Sequence, residues 1–365
     1  MPESRADVVE RVPPPAPDAD GSAVVRVNPL EDAGWDVRLG AFPARSFFHG
    51  AAWARVLHDA YHYDPVYFVS GDPLHPNAVL PVMEVNSWLT GRRGVSLPFT
   101  DECEPLCPDA DSWRRLFRKT LEYAKDRTWK YLECRGGRAW FGDAPASTSF
   151  YSHRLDLGGG ESALWAGVDG AVRRAVRKAE QTGLTVAFSR DLEAVRIFHA
   201  LLCRTRKRHG MPAQPFRFFE NIHRHVLAQN QGWVVLARLG RLPVAGAVFF
   251  HCGKTAIFKF GASDETRQNL RANNLVMWQA IRWHAERGFA ELDFGRTSLD
   301  NHGLRRFKLG WGSQERRIDY VRYEPRSAGF VTARDQSSGW HNRVFRMLPI
   351  PLSRLIGVAF YRHLA

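Results

Sequence analysis

Cysteine is scarce in this chain, five residues in 365. Cys103, Cys107, Cys134, Cys203 and Cys252 are too few for a disulfide framework at this length, and they read as free thiols of a reducing compartment. Cys103 and Cys107 have a spacing that suits a metal, but no C-x-x-C and no histidine pair accompanies them. No Walker loop, no serine–histidine–aspartate ordering and no other metal-ligand spacing stands out. The first residues include acidic ones and run into PPPAPDAD without an apolar signal region, so a cytoplasmic location is expected. The segment from His341 to the end cannot span a bilayer, because Pro349, Pro351 and Arg354 interrupt any run of about 20 apolar residues.

What is plentiful is apolar mass and positive charge. An apolar fraction of 44% with 12 Trp and 23 Phe supplies packed cores, and the length suits two domains. The 51 Lys and Arg against 38 Asp and Glu leave a net charge of +13. That balance favours an anionic partner: tRNA, a phosphorylated acceptor, coenzyme A or an acidic membrane face. A basic surface kept for solubility is the alternative. The end of the chain mixes Phe, Leu, Ile, Val and Tyr with Arg and His, and so reads either as a basic amphipathic segment lying on an anionic, peripheral membrane surface or as a tail packed back on the first domain.

Residues 1–22 read as a disordered tail, 23–150 as a first domain, 151–323 as a second and 324–365 as the C-terminal tail. In the first domain a helix is expected over 49–61, strands over 65–70, 78–85 and 92–98, a helix over 111–128 and a strand over 130–135. The order recurs after a strand at 151–157. Helices follow near 161–182, 191–208 and 215–229, then strands at 233–239, 243–252 and 255–262. Gly240-Arg241 and Gly253-Lys254 are hairpin-turn material between them. A helix at 270–287, burying Met277, Trp278, Ile281 and Ala285, leads to a strand at 291–295. Helix, three strands, helix, strand thus occurs twice, an α+β arrangement.

The richest segment is ELDFGRTSLDNHGLRRFKLGWGSQERRIDYVRY, from Glu291 to Tyr323. A strand-like run stops at Gly295, a polar turn follows, and a short basic helix carries Arg305, Arg306 and Lys308 ahead of a second strand. Strand ends that deliver polar and cationic residues into one loop are where ligand sites gather. Asp293-Phe294-Gly295-Arg296-Thr297 followed by Phe307-Lys308-Leu309-Gly310-Trp311 resembles the signature of the FemAB-like acyltransferases of the GNAT superfamily. The basic run Arg173, Arg174, Arg177, Lys178 resembles the family's basic helix, and Ser96-Leu97-Pro98-Phe99 its first-domain strand end, here followed by Asp101-Glu102-Cys103 in place of Gly-Gly. The resemblance implies two GNAT-like domains in tandem, with the acyl donor held in a gap between the strands at 255–262 and 291–295 and a helix start near Asn269 aimed at that gap. The glycine-rich coenzyme A loop is absent: Arg267-Gln268-Asn269-Leu270-Arg271-Ala272 has no glycine.

Lys308, Asp293 and Arg296 are the candidate catalytic residues. Lys308 suits stabilisation of negative charge on a reacting carbonyl, against the alternative of a solvated lysine. Arg296 and Arg306 suit bidentate phosphate clamping or ordinary surface pairing. Asp293 suits orienting Arg296 or the acceptor amine, or a structural ion pair. Arg173, Arg174, Arg177, Lys178, Ser298, Asn301 and Arg306 are the candidate substrate-binding residues, with helix capping the better reading of Ser298 and Asn301. The chemistry implied is attack of an acceptor amine on a bound ester or thioester, with no bound cofactor and with aminoacyl-tRNA or acyl-CoA as donor. The expected acceptor is a small or glycan-linked amine of an envelope or polysaccharide precursor, such as those of peptidoglycan bridges or exopolysaccharide systems. An acyl-CoA-dependent N-acetyltransferase is the alternative, and a non-catalytic basic protein binding RNA or a membrane surface is a further one.

Overall fold

The computed structural model describes residues 23–332 and 349–363, so the proposed N-terminal tail lies outside the described residues. The chain forms two compact units. Within the described residues the first holds 23–150, 318–332 and 362–363, and the second 151–317 and 349–361.

The first unit pairs β1 (Val24–Val27), β3 (Tyr67–Asp72) and β4 (His75–Leu80) in a small antiparallel sheet. A second set joins β2 (Asp64–Pro65), β5 (Met83–Ser87), β6 (Gly91–Val95) and β7 (Leu132–Arg135). The strand expected over 78–85 is therefore two strands in different sheets. Pro81 interrupts it, since a proline has no N–H to give to a ladder. Helices α1 (Trp35–Arg38) and α2 (Ala51–Tyr61) lie between β1 and β2 in the chain. Helix α3 (Ala110–Asp126) makes the crossover that sets β7 parallel to β6. It starts where Asp109 accepts from the Ser112 N–H at 2.7 Å, and it buries Trp113, Leu116, Phe117, Thr120, Leu121 and Ala124 along one face.

The second unit is a meander of β9 (Leu184–Ser189), β10 (Gly232–Leu239), β11 (Leu242–Cys252) and β12 (Thr255–Ser263), each antiparallel to the next. Both expected hairpin turns are present at Gly240-Arg241 and Gly253-Lys254. Helix α8 (Ala272–Glu286) crosses over to β13 (Glu291–Ser298), which runs parallel to β12, and residues Tyr151–Asp156 of β8 (Thr148–Asp156) flank β13. The core closes as Val276, Met277, Ala280 and Ile281 of α8 meet Val235, Ala247 and Phe249, with Phe294 and Trp311 beside them. The single helix expected near 161–182 is two, α4 (Gly160–Gly167) and α5 (Gly170–Glu180). Asp169 stands at the break and caps α5 by accepting from the Ala171 N–H. Helices α6 (Leu192–Arg208), α7 (Phe216–Ile222) and α9 (His302–Leu309) complete the body of the unit.

Residues from 324 onward are not a separate tail where they are described. Strand β14 (Gln314–Glu324) continues through the boundary at Ile318, and β15 (Gly329–Val331) pairs with its end, so the second unit stops short of 323. Helix α10 (Ile350–Phe360) packs on α6 of the second unit, whereas Arg362 and His363 pack back on the first, their carbonyls accepting from Tyr63 Oη at 3.0 Å and from Arg93 at 2.9 Å. Its Ser353 and Gly357 face inward, and a Cβ on Gly357 would lie 2.1 Å from the Ala213 carbonyl oxygen. None of the five cysteines forms a disulfide.

Candidate active site

The D-F-G-R run shapes the end of β13. Gly295 has φ +68, in the left-handed region that glycine enters without steric cost. Asp293 closes the bend, its Oδ1 accepting from the Gly295 N–H at 2.7 Å. In a regular strand successive carbonyls point to opposite sides; here those of Gly295 and Arg296 converge. Lys308 Nζ, reaching in from α9, donates to both, at 2.7 and 2.9 Å. With 2% exposure Lys308 is not a solvated lysine, and its ammonium fixes a strand end. Asp293 also faces Arg154, Oδ2 to Nε 3.6 Å. Asp293, Lys308 and the Arg296 carbonyl therefore meet at one bend.

The ladder between β12 and β13 is short. It pairs Thr255–Ile257 with Glu291–Asp293 and then stops, so Phe258–Ser263 and Phe294–Ser298 diverge. Lys259 is skipped in the ladder to β11, a bulge that adds local twist just past the point of divergence. Where β12 ends, a groove of 670 Å³ opens, lined by Arg204, Lys207 and Arg208 of α6, Ser263–Thr266 and Ile350. Asp264 and Glu265 partly balance it, at 3.5 Å from Arg204 and 3.9 Å from Arg208. Helix α8 begins at Ala272, not near Asn269. Residues 265–270 form a short turn of their own, and Arg271 holds φ +55 without being glycine.

A second groove, of 750 Å³, lies between the starts of α5 and α9 and is lined by Asp169, Val172, His302, Arg305, Arg306 and Phe307 among others. Arg305 is held by Glu315 through two contacts of 2.7 Å, and Glu315 also meets His153 Nε2 at 2.9 Å. The hydrogen bond from Arg305 keeps the Glu315 carboxyl below its usual value. Burial, then the nearby Lys308 charge, pushes His153 down. Two glycines let these pieces meet: the Gly310 carbonyl accepts from the Asp169 N–H, and Gly312, at φ +80, packs against the Gly167 carbonyl.

Of the candidate binding residues, Arg306 lines the second groove and Arg173, Arg174, Arg177 and Lys178 do not. Arg173 reaches toward the Trp165 carbonyl and Arg177 lies over the Trp165 ring, while Arg174 and Lys178 are exposed. Asn301 caps α9 by accepting from the Leu304 N–H at 3.1 Å, and Ser298 supplies a turn carbonyl to Asn301. Sequence reasoning passed over Arg204, Lys207 and Arg208 as ligand-binding residues, although their run of charge was legible. It also passed over His153 and Glu315, which no local pattern marks.

A family model described as an acetyltransferase (GNAT) domain matches residues 169–315, from the α5 cap to Glu315. The chain carries a GNAT acetyltransferase domain in a FemAB-like fold. The structure of FemX is similar at 14% identity, with a TM-score of 0.65, over 81% of this chain and 96% of that one. A tandem GNAT protein from the clavulanic acid biosynthesis pathway is similar at 12% identity and TM-score 0.54, over 83% of this chain and 98% of that one. The C-terminal domain of a putative lysylphosphatidylglycerol synthetase from Agrobacterium fabrum is similar at 13% identity and TM-score 0.52, over 79% and 91%. No curated protein matches the sequence. The matched domain supports acyl transfer in general.

Proposed function

We propose that this protein forms an amide by moving an acyl or aminoacyl group from a phosphate-bearing carrier to the amino group of an envelope- or polysaccharide-related precursor. The observation that carries this reading is the end of the β12–β13 ladder at Ile257–Asp293, together with a groove lined by Arg204, Lys207 and Arg208 where β12 itself ends at Ser263. The diverging edge of β12 offers main-chain groups to the acyl carbonyl, and the cationic groove suits the carrier's phosphates. The acceptor amine attacks that carbonyl, a C–N bond forms as the ester C–O or thioester C–S bond breaks, and the proton lost by the nitrogen is taken up, through solvent, by the carrier, which leaves as its alcohol or thiol. Lys308 acts by position: it holds the Gly295–Arg296 end of β13 that forms the other wall of the gap.

Aminoacyl-tRNA is the favoured donor. Arg267–Ala272 lacks glycine, so side chains stand where a diphosphate would need close backbone approach. Acetyl-CoA is the second reading, because the fold is shared with the tandem GNAT protein, a structure described as being without AcCoA. Calorimetric titration with coenzyme A, acetyl-CoA and charged tRNA tests the choice. Saturable binding of charged tRNA with silence from both coenzymes is the expected result. Micromolar binding of acetyl-CoA would transfer the assignment to that donor, and silence from every donor would overturn acyl transfer itself.

A further inference from the structure

Helix α10 is built inside out. Its small residues, Ser353 and Gly357, are buried against the body of the second unit, and Tyr361 Oη ties the helix end to the Pro212 carbonyl at 3.1 Å. Its large apolar residues point away: Leu352 is 44% exposed, Leu355 66% and Val358 59%, with Phe360 at 46% closing the helix. Leu352, Leu355, Val358 and Ala359 follow at i, i+3, i+6 and i+7, so they occupy one outward face. A face of that kind on a helix ordered by its opposite side marks an interaction surface. Among the described residues no helix is long and apolar enough to cross a membrane, which leaves a face that rests on a surface rather than one that spans it.

Charge selects the occupant. Arg354, exposed, borders the apolar face. Ile350, at the helix start, also lines the groove of Arg204, Lys207 and Arg208. A second copy of a chain with net charge +13 would meet this basic rim with its own, at a cost. We infer that α10 seats the protein on an anionic lipid surface, its leucine face in the headgroup boundary and Arg354 on a lipid phosphate. This surface is independent of the identity of the acyl donor.

Vesicle co-sedimentation of the full chain tests it. Binding to phosphatidylcholine vesicles that contain phosphatidylglycerol should exceed binding to pure phosphatidylcholine by about tenfold or more and should weaken as salt rises. Leu355→Ser with Val358→Ser should reduce the anionic binding by about tenfold. Both side chains are exposed, so circular dichroism and the melting temperature should be unchanged. Absence of wild-type binding, or equal binding by the double variant, overturns the inference. So does a dimer in sedimentation velocity that the same double variant dissolves, because the face would then belong to a second copy.

Discussion

Replacing Lys308 with Met removes one ammonium from a buried site while keeping most of the stem's volume. Two hydrogen bonds are lost, to the Gly295 carbonyl at 2.7 Å and to the Arg296 carbonyl at 2.9 Å. A buried acceptor left without a donor costs about 1–3 kcal/mol. The Arg296 carbonyl is only part-buried and recovers some of that from water, and removing a buried charge relieves its desolvation. The net loss expected is roughly 2–4 kcal/mol, or a fall in melting temperature of roughly 5–12 °C for a unit of this size. Because β13 forms one wall of the gap, acyl-transfer rate falls with it, through kcat and KM together rather than kcat alone. Thermal denaturation and initial rates on the same preparation read both quantities. If Lys308→Met melts like the wild type yet turns over no substrate, the lysine works on the reacting atoms and the positioning role is wrong. If it neither melts earlier nor slows, the bend at Gly295 is held by Asp293 without help.

Other consequences are separable. Arg204→Glu with Arg208→Glu should weaken binding of the phosphate-bearing donor by an order of magnitude or more and flatten its salt dependence by about two counterions; Arg174→Glu with Lys178→Glu, outside that groove, should leave the slope unchanged, and the reverse pattern would move the donor site to α5. Acid should destabilise the fold in two stages. Burial pushes His49 down to about 4, His251 to about 3 and His284 to about 4, so above pH 6.5 their contribution is complete, and as pH falls toward 4 the unfolded chain takes up protons first. Treating the touching His251–His284 pair as one site, the loss is on the order of 3 kcal/mol for each of two sites. Burial pushes the Glu133 carboxyl up, but Arg135 and Arg322 override it and bring it down to about 2, so its contribution is complete above 4.5 and disappears between 4.5 and 2. Melting temperature recorded from pH 7 to pH 3 checks both windows, and a flat profile between 6.5 and 4 would show that the histidines charge without opening the core.

How far the sequence was legible follows from the range of the forces involved. Local rules carried the second unit well. Gly240-Arg241 and Gly253-Lys254 turn because glycine takes positive φ there, at +57 and +56, and the α8 core face follows a period set by one helix alone. The gap between β12 and β13 was placed correctly in the chain, although it opens only after Ile257 and Asp293. What failed was non-local. Pro81 ends one strand, but nothing near it says that the next strand joins another sheet. The residues of the bend were named from the sequence, yet the burial of Lys308 comes from a helix that starts several residues beyond β13 and folds back on it. His153 meets Glu315 across 162 positions, a separation no window of periodicity spans.

Helix α10 is the most informative case, because the sequence left its apolar face open between a membrane surface and the body of the protein. Pattern reasoning assigns the apolar face of a helix to the core. In α10 the core takes Ser353 and Gly357, because the backbone comes so close at Ala213 that no Cβ would fit. The leucines were left for something else. A residue pattern reports which face avoids water, and only the packed structure reports whether the protein itself provides the cover. Among the described residues nothing covers that face of α10, and Arg354 beside it favours an anionic partner.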